Sequence, residues 1–220
     1  MQPLYTVAKS FKLMNDENSF LKPDDELLPS SFAMYVRTLL TEKDRNIIIP
    51  GCGNGADALF FAGEHFNVLA ISDVENDIKY LNLNHKYFKN IRFLYADHTQ
   101  LLNESILYDV VYSRLILNTL SSDEENQLLR WSYRHLKNGA RLCIETKGKI
   151  DTTIGIEVAQ YKKEELPSGK NSYLSAIDFQ ALCTQLESLG FYLDFAREEK
   201  VFSRHQSAEE TLIRIIARKI

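Results

Sequence analysis

Short runs of consecutive apolar residues recur along the chain, at 45–50, 67–72, 90–95, 108–112 and 141–146. They are rich in Ile, Val and Leu at successive positions rather than alternate ones, which predicts strands buried on both faces, as in a parallel sheet. Helical periodicity fills the gaps. It begins near Ser30 (Ser31, Phe32, Met34, Tyr35, Leu39, Leu40) and returns at 57–63, 75–87 and 122–136. Ser30 or Ser31 offers an N-cap for the first helix. Ser122 and Glu125 read as a capping-box pair for the last, with Asn138-Gly139 as its stop. Strands alternating with helices predict an α/β, doubly wound sheet. The C-terminal pattern differs. A helix at 177–189, stopped by Gly190, is followed by strand-like runs at 191–197 and 211–217 with no helix between them. Such a pair should lie antiparallel. The expectation is therefore a mostly parallel, Rossmann-like sheet of seven strands that ends in an antiparallel hairpin. Residues 1–28 read as an irregular arm, and 148–175 as a long loop.

The first apolar run breaks into Gly51-Cys52-Gly53-Asn54-Gly55-Ala56-Asp57 and enters a helix at once. A glycine turn between strand and helix lets bare backbone approach a ligand, and the helix N-terminus aims N–H groups at it. Gly51-x-Gly53-x-x-Ala56 also fits a dinucleotide fingerprint, with Asp73 placed 22 residues beyond Gly51 as a ribose-binding acid. Three glycines at this spacing are more than a tight turn requires.

Composition narrows the field. The 220 residues suit one domain, and a net charge of −4 without like-charged blocks argues against a nucleic-acid groove. Cys52, Cys143 and Cys183 are too few and too scattered for a disulfide framework or a cysteine metal site. The start lacks a signal-peptide pattern, and no apolar run is long enough to span a membrane, so a cytoplasmic protein is expected.

From about Leu28 to Lys219 the pattern resembles the class I S-adenosylmethionine-dependent methyltransferases. Gly51, Cys52, Gly53, Asn54, Gly55 and Asp57 look like the family's first motif, which holds the methionine part of the cofactor. Ile71-Ser72-Asp73 ends the second strand, where an acid commonly grips the ribose; Ser72 or Asp73 takes that place, depending on register. Asp97-His98 follows the third strand, at the adenine edge. Tyr108-Asp109-Val110-Val111-Tyr112-Ser113-Arg114-Leu115 resembles the fourth-strand motif, with Ser113 toward the cofactor. The resemblance implies S-adenosylmethionine as cofactor, S-adenosylhomocysteine as product and no metal. One departure stands out: where the family usually carries an acid two positions before the first glycine, this chain has Ile49, then Pro50.

Gly-Cys-Gly-Asn-Gly-x-Asp, Tyr-Ser-Arg-x-x-Leu and the closing Ile-Arg-x-Ile-Ala-Arg-Lys resemble a bacterial branch that often accompanies surface-polysaccharide synthesis. That implies a small-molecule acceptor, anionic or carbohydrate-linked, methylated on oxygen, by a monomer or homodimer. Arg114 is a candidate two-point contact for a carboxylate or phosphate, with a salt bridge to a neighbouring acid as the alternative. Tyr173 and His205, with Tyr112, are candidates to assist deprotonation. The loop 148–175 is expected to cover the acceptor. Two other functions compete: a nicotinamide-dependent oxidoreductase, which the closing hairpin disfavours, and a non-catalytic binding protein on the same fold.

Overall fold

The computed structural model describes residues 27–96, 106–149, 162–165, 171–174, 176–203 and 208–220. Five parallel strands form one side of its main sheet: β1 (Asn46–Pro50), β2 (Asn67–Ser72), β3 (Ile91–Tyr95), β4 (Tyr108–Arg114) and β5 (Leu136–Lys147). A two-stranded sheet follows, β6 (Lys162–Glu165) with β7 (Asn171–Leu174). The last strands, β8 (Phe191–Ser203) and β9 (Ala208–Lys219), complete the main sheet in the order β3-β2-β1-β4-β5-β9-β8, with β9 antiparallel to both neighbours. This is the expected Rossmann-like, seven-stranded sheet. Its strand order reverses between β1 and β4, and ligands of open α/β sheets bind outside the carboxyl ends at such a switch.

Helices α1 (Ser31–Leu39), α2 (Ala56–Gly63) and α3 (Glu75–Asn84) cover one face; α4 (Ser122–His135) and α5 (Phe179–Ser188) cover the other. Alternate residues of β1 serve the two layers: Ile47 and Ile49 pack with Phe32, Phe61 and Tyr112, while Ile48 packs with the layer built around Trp131. That double duty is why the run is apolar at every position. Among the described residues, no helix is long and apolar enough to cross a membrane.

Several boundaries differ from the sequence reading. Helix α4 begins one residue early: Ser121, in extended conformation, caps it, and Glu124 reaches back to the Ser121 N–H at 2.8 Å. The stretch Ser121-Ser122-Asp123-Glu124-Glu125 contains the capping-box pattern twice, and backbone geometry selects the first. Ser121→Ala is expected to lower stability by about 1 kcal/mol, read as a shift in urea midpoint, with Ser122→Ala close to neutral. Asn138-Gly139 does not stop the helix. The chain passes directly from His135 into β5, and the register against β4 jumps from Tyr108↔Leu136 to Val110↔Arg141, with Gly139 at φ 80° inside the resulting bulge.

The loop expected over 148–175 contains the β6–β7 pair, with Lys163 opposite Tyr173. Its root is fastened by a parallel bridge between Gly148 and Ile177. Strand β7 lies against the 3-10 turn Leu117–Thr119 that follows β4, at the carboxyl edge of the sheet.

Candidate functional site

Neighbouring strands β1 and β4 are registered Ile48 to Val111. Gly51 and Arg114, each three residues further on, therefore leave the sheet at the same level. Gly51, Gly53 and Gly55 all have positive φ (70°, 53° and 78°). The turn is closed by Gly55 N–H donating to the Cys52 carbonyl (3.0 Å), and Cys52 N–H ties it to Ile71 of β2 (2.7 Å). Two glycines are required for opposite reasons. A Cβ on Gly55 would lie 2.7 Å from Leu81 Cδ2, so the turn packs down on α3. A Cβ on Gly53 would meet no atom within 4 Å, so this backbone faces open space. Asn54 uses its Oδ1 to accept from Ala56 N–H (3.2 Å) and starts α2.

Two of the expected residues stand at the strand ends. Ser113, 2% exposed near the end of β4, has no hydrogen-bond partner for its hydroxyl among the described residues. A buried orphan hydroxyl is costly unless a ligand or water completes it. Ser72 is the last residue of β2, and its hydroxyl accepts from Val74 N–H at 3.1 Å, helping the chain turn into α3. Asp73 is then the first residue past the strand and supplies the carboxylate at this edge. The open side of Gly53, the orphan Ser113 hydroxyl and the Asp73 carboxylate fit an adenosyl amino acid laid across the switch point. Asp97, His98 and His205 lie outside the described residues; Tyr173 is placed in β7 by its backbone.

Asp57, expected among the cofactor contacts, has its carboxylate engaged within the protein. It accepts from Ser30 N–H (2.7 Å), Ser30 Oγ (2.9 Å) and Tyr112 OH (2.8 Å), pinning the start of α1 to α2. Tyr112 is correspondingly unsuited to act as a base. Burial, with the Asp57 carboxylate beside it, pushes its phenol far above the usual range. Its ring is packed between Phe32 and Phe61. Ile49 sits 2% exposed in this same apolar layer.

Arg114 forms the salt bridge that was the alternative reading. Its Nε donates to Glu145 Oε1 at 2.8 Å and lies 3.9 Å from Asp57 Oδ2. Burial opposes its charge, but Asp57 and Glu145 together hold the guanidinium above its ordinary value. Leu115 follows at φ 55°, an uncommon conformation for leucine, and its N–H donates to the Glu145 carbonyl at 2.7 Å. Asn118, 4% exposed, bonds the 3-10 turn to the end of β5. Its Oδ1 accepts from Thr146 Oγ1 (2.6 Å) and Lys147 N–H (2.7 Å). Glu145, Asn118 and the buried Asp77 of α3 were not singled out in sequence. Only the strand register and helix placement bring them to this edge.

Cys52 is no nucleophile in this setting: burial pushes its thiol up to about 12, and Cys143 likewise. The neutral thiols are favoured in the fold, whereas an unfolded chain ionises them near ~8.5. Stability should therefore fall as pH rises from about 9 to about 12, measured as urea midpoint against pH. At pH 8 a disulfide reagent is expected to label the half-buried Cys183 before the buried Cys143.

Comparisons with known proteins bear on the fold. Residues 47–139 match the family profile described as a methyltransferase domain. A solved S-adenosylmethionine-dependent methyltransferase from Methanosarcina mazei is 18% identical, with 84% of this chain and 97% of that chain covered, at a TM-score of 0.67. The 1,6-didemethyltoxoflavin-N1-methyltransferase of Burkholderia thailandensis, solved with 1,6-didemethyltoxoflavin and S-adenosylhomocysteine bound, is 14% identical over 86% and 79%, at 0.63. The [4+2]-cyclase SpnF is also similar, 18% identical over 85% and 80%, at 0.63. No curated protein matches in sequence. At these identities the structural likeness is one of fold, and a cyclase among such proteins means the fold alone does not name the reaction. The profile match covers the glycine turn and β1 to β4, so residues 47–139 are similar to a methyltransferase domain, and the chain as a whole shares the fold of these S-adenosylmethionine-dependent methyltransferases.

Proposed function

We propose that the protein methylates an oxygen that is already ionised, a carboxylate or phosphate-type group on a small or carbohydrate-linked molecule. In this reading the glycine turn Gly51–Gly55 and Ser113 hold the amino-acid part of the cofactor, Ser72 and Asp73 its ribose, and Asp97 and His98 its adenine. The sulfonium of the cofactor supplies an activated methyl group. The remaining task for the protein is alignment of an oxygen along the departing bond. The acceptor is placed between the end of β4 and the β6–β7 pair.

The observation that carries the choice of acceptor is Arg114, which stands at this edge with 38% of its side chain exposed. Tyr112, meanwhile, is committed to Asp57. A cation beside an ionised oxygen needs no base, whereas a neutral sugar hydroxyl would require one, from Tyr173 or His205. The similarity to the bacterial polysaccharide-associated branch supports including nucleotide-linked sugars and sugar acids in a screen. The test is transfer of labelled methyl from S-adenosylmethionine to a panel of carboxylates, sugar phosphates and neutral glycosides. Label that leaves as methanol in mild alkali marks a carboxylate ester and supports the reading. A phosphate methyl ester, identified by mass, does the same. Label fixed as an alkali-stable ether or on nitrogen would overturn it.

A further inference from the structure

Two arginines flank one buried carboxylate at the carboxyl edge of the sheet, and they are used differently. Glu145 of β5 is 3% exposed. The register sets Arg114 of β4 opposite it on one side and Arg214 of β9 on the other. Arg114 Nε meets Oε1 at 2.8 Å and Arg214 Nε meets Oε2 at 2.7 Å. Each of the three Arg214 nitrogens is then engaged, since its Nη1 donates to Glu199 Oε1 (2.7 Å) and its Nη2 to Ser31 Oγ (3.4 Å). Arg114 commits only Nε. Among the described residues nothing takes its two Nη groups. They form the planar edge that suits two-point contact with a carboxylate or phosphate.

A structural ion pair alone would not need this asymmetry. Glu145, buried between two cations, is fixed by both, and engagement through Nε leaves the Arg114 side chain little freedom to rotate. Two residues earlier on β4, Tyr112 is bonded to Asp57 of α2, so carboxylates lie on two sides of the guanidinium, Asp57 at 3.9 Å and Glu145 at 2.8 Å from Nε. Arg114 leaves the sheet level with Gly51, at the boundary between the cofactor turn and the acceptor side. The carboxylate of the cofactor's amino-acid part and an anionic acceptor are the two groups that could reach it.

We propose that Arg114 is a two-point grip for a carboxylate- or phosphate-type anion, and that Glu145 and Arg214 are positioning residues that aim it. The inference rests on the cofactor reading above, and its test separates the two. Calorimetry would compare S-adenosylhomocysteine with 5′-methylthioadenosine, which lacks the amino-acid carboxylate, in wild type, Arg114→Lys, Glu145→Gln and Arg214→Gln. Circular dichroism and thermal unfolding would establish that each variant folds; Arg114→Lys keeps the charge, and its side chain is the more exposed, so it remains informative if Glu145→Gln does not fold. Inorganic phosphate would be titrated into each protein with and without saturating S-adenosylhomocysteine.

If the grip serves the cofactor, all three variants lose tenfold or more in affinity for S-adenosylhomocysteine and none for 5′-methylthioadenosine. If it serves the acceptor, both nucleosides bind unchanged, and phosphate binds the saturated wild type but not the variants. Unchanged nucleoside and phosphate binding in Arg114→Lys would overturn the grip. An Arg114→Lys defect that Glu145→Gln and Arg214→Gln, both folded, do not share would overturn the positioning role. Failure of the wild type to bind either nucleoside would count against the cofactor reading, and the phosphate titration would then judge the grip alone.

Discussion

Gly53→Val is expected to lower affinity for S-adenosylhomocysteine at least a hundredfold while leaving the fold intact. The position has φ 53° and open space where a Cβ would stand. A residue with a side chain is strained there by about 1–2 kcal/mol, and no neighbouring atom adds a clash. For a chain of this size that predicts a fall in Tm of roughly 2–8 °C. The loss in binding is larger because the isopropyl group would occupy the face against which the ligand packs; a hundredfold is about 2.7 kcal/mol. The two effects separate the functions of the turn. A large stability loss with affinity preserved in the folded fraction would mean that the open face at Gly53 is not the ligand side.

Asp57→Ala should do the reverse. Its carboxylate is the shared acceptor for the Ser30 backbone, the Ser30 hydroxyl and the Tyr112 phenol. Removing it leaves the Ser30 N–H and the buried Tyr112 OH without that partner, at about 1–3 kcal/mol for each unsatisfied donor. Ser30 Oγ lies 3.1 Å from Tyr112 OH and offsets part of this. A net loss of about 3 kcal/mol is expected in urea unfolding, with amides of α1 exchanging faster because Ser30 is that helix's cap. Asp57→Asn, which keeps one acceptor oxygen, should lose less. If Asp57→Ala retained full stability and lost only cofactor affinity, the direct ligand role suggested by the glycine motif would stand and the clamp would not.

The strands that could be read from the chain are those buried on both faces. Runs such as Ile47-Ile48-Ile49 and Val110-Val111 leave little choice of environment. Strand β8 was only half seen because it lies at the sheet edge, and Glu198, Glu199 and Lys200 look like a loop when one face is solvated. The glycine turn was legible because its chemistry is local, five consecutive residues. The charged group around Glu145 was not, since its partners lie 31 and 69 residues away and meet only through the register of β4, β5 and β9. The end of β2 lies between Ser72 and Asp73, and that boundary follows from the strand register rather than from the local sequence.

The most direct measurement is calorimetric titration of the purified protein with S-adenosylhomocysteine, alongside Gly53→Val. One-to-one binding in the wild type, lost in a folded Gly53→Val, is the predicted result. A folded wild-type protein that takes up no S-adenosylhomocysteine, or a Gly53→Val variant that binds it equally well, would contradict the account.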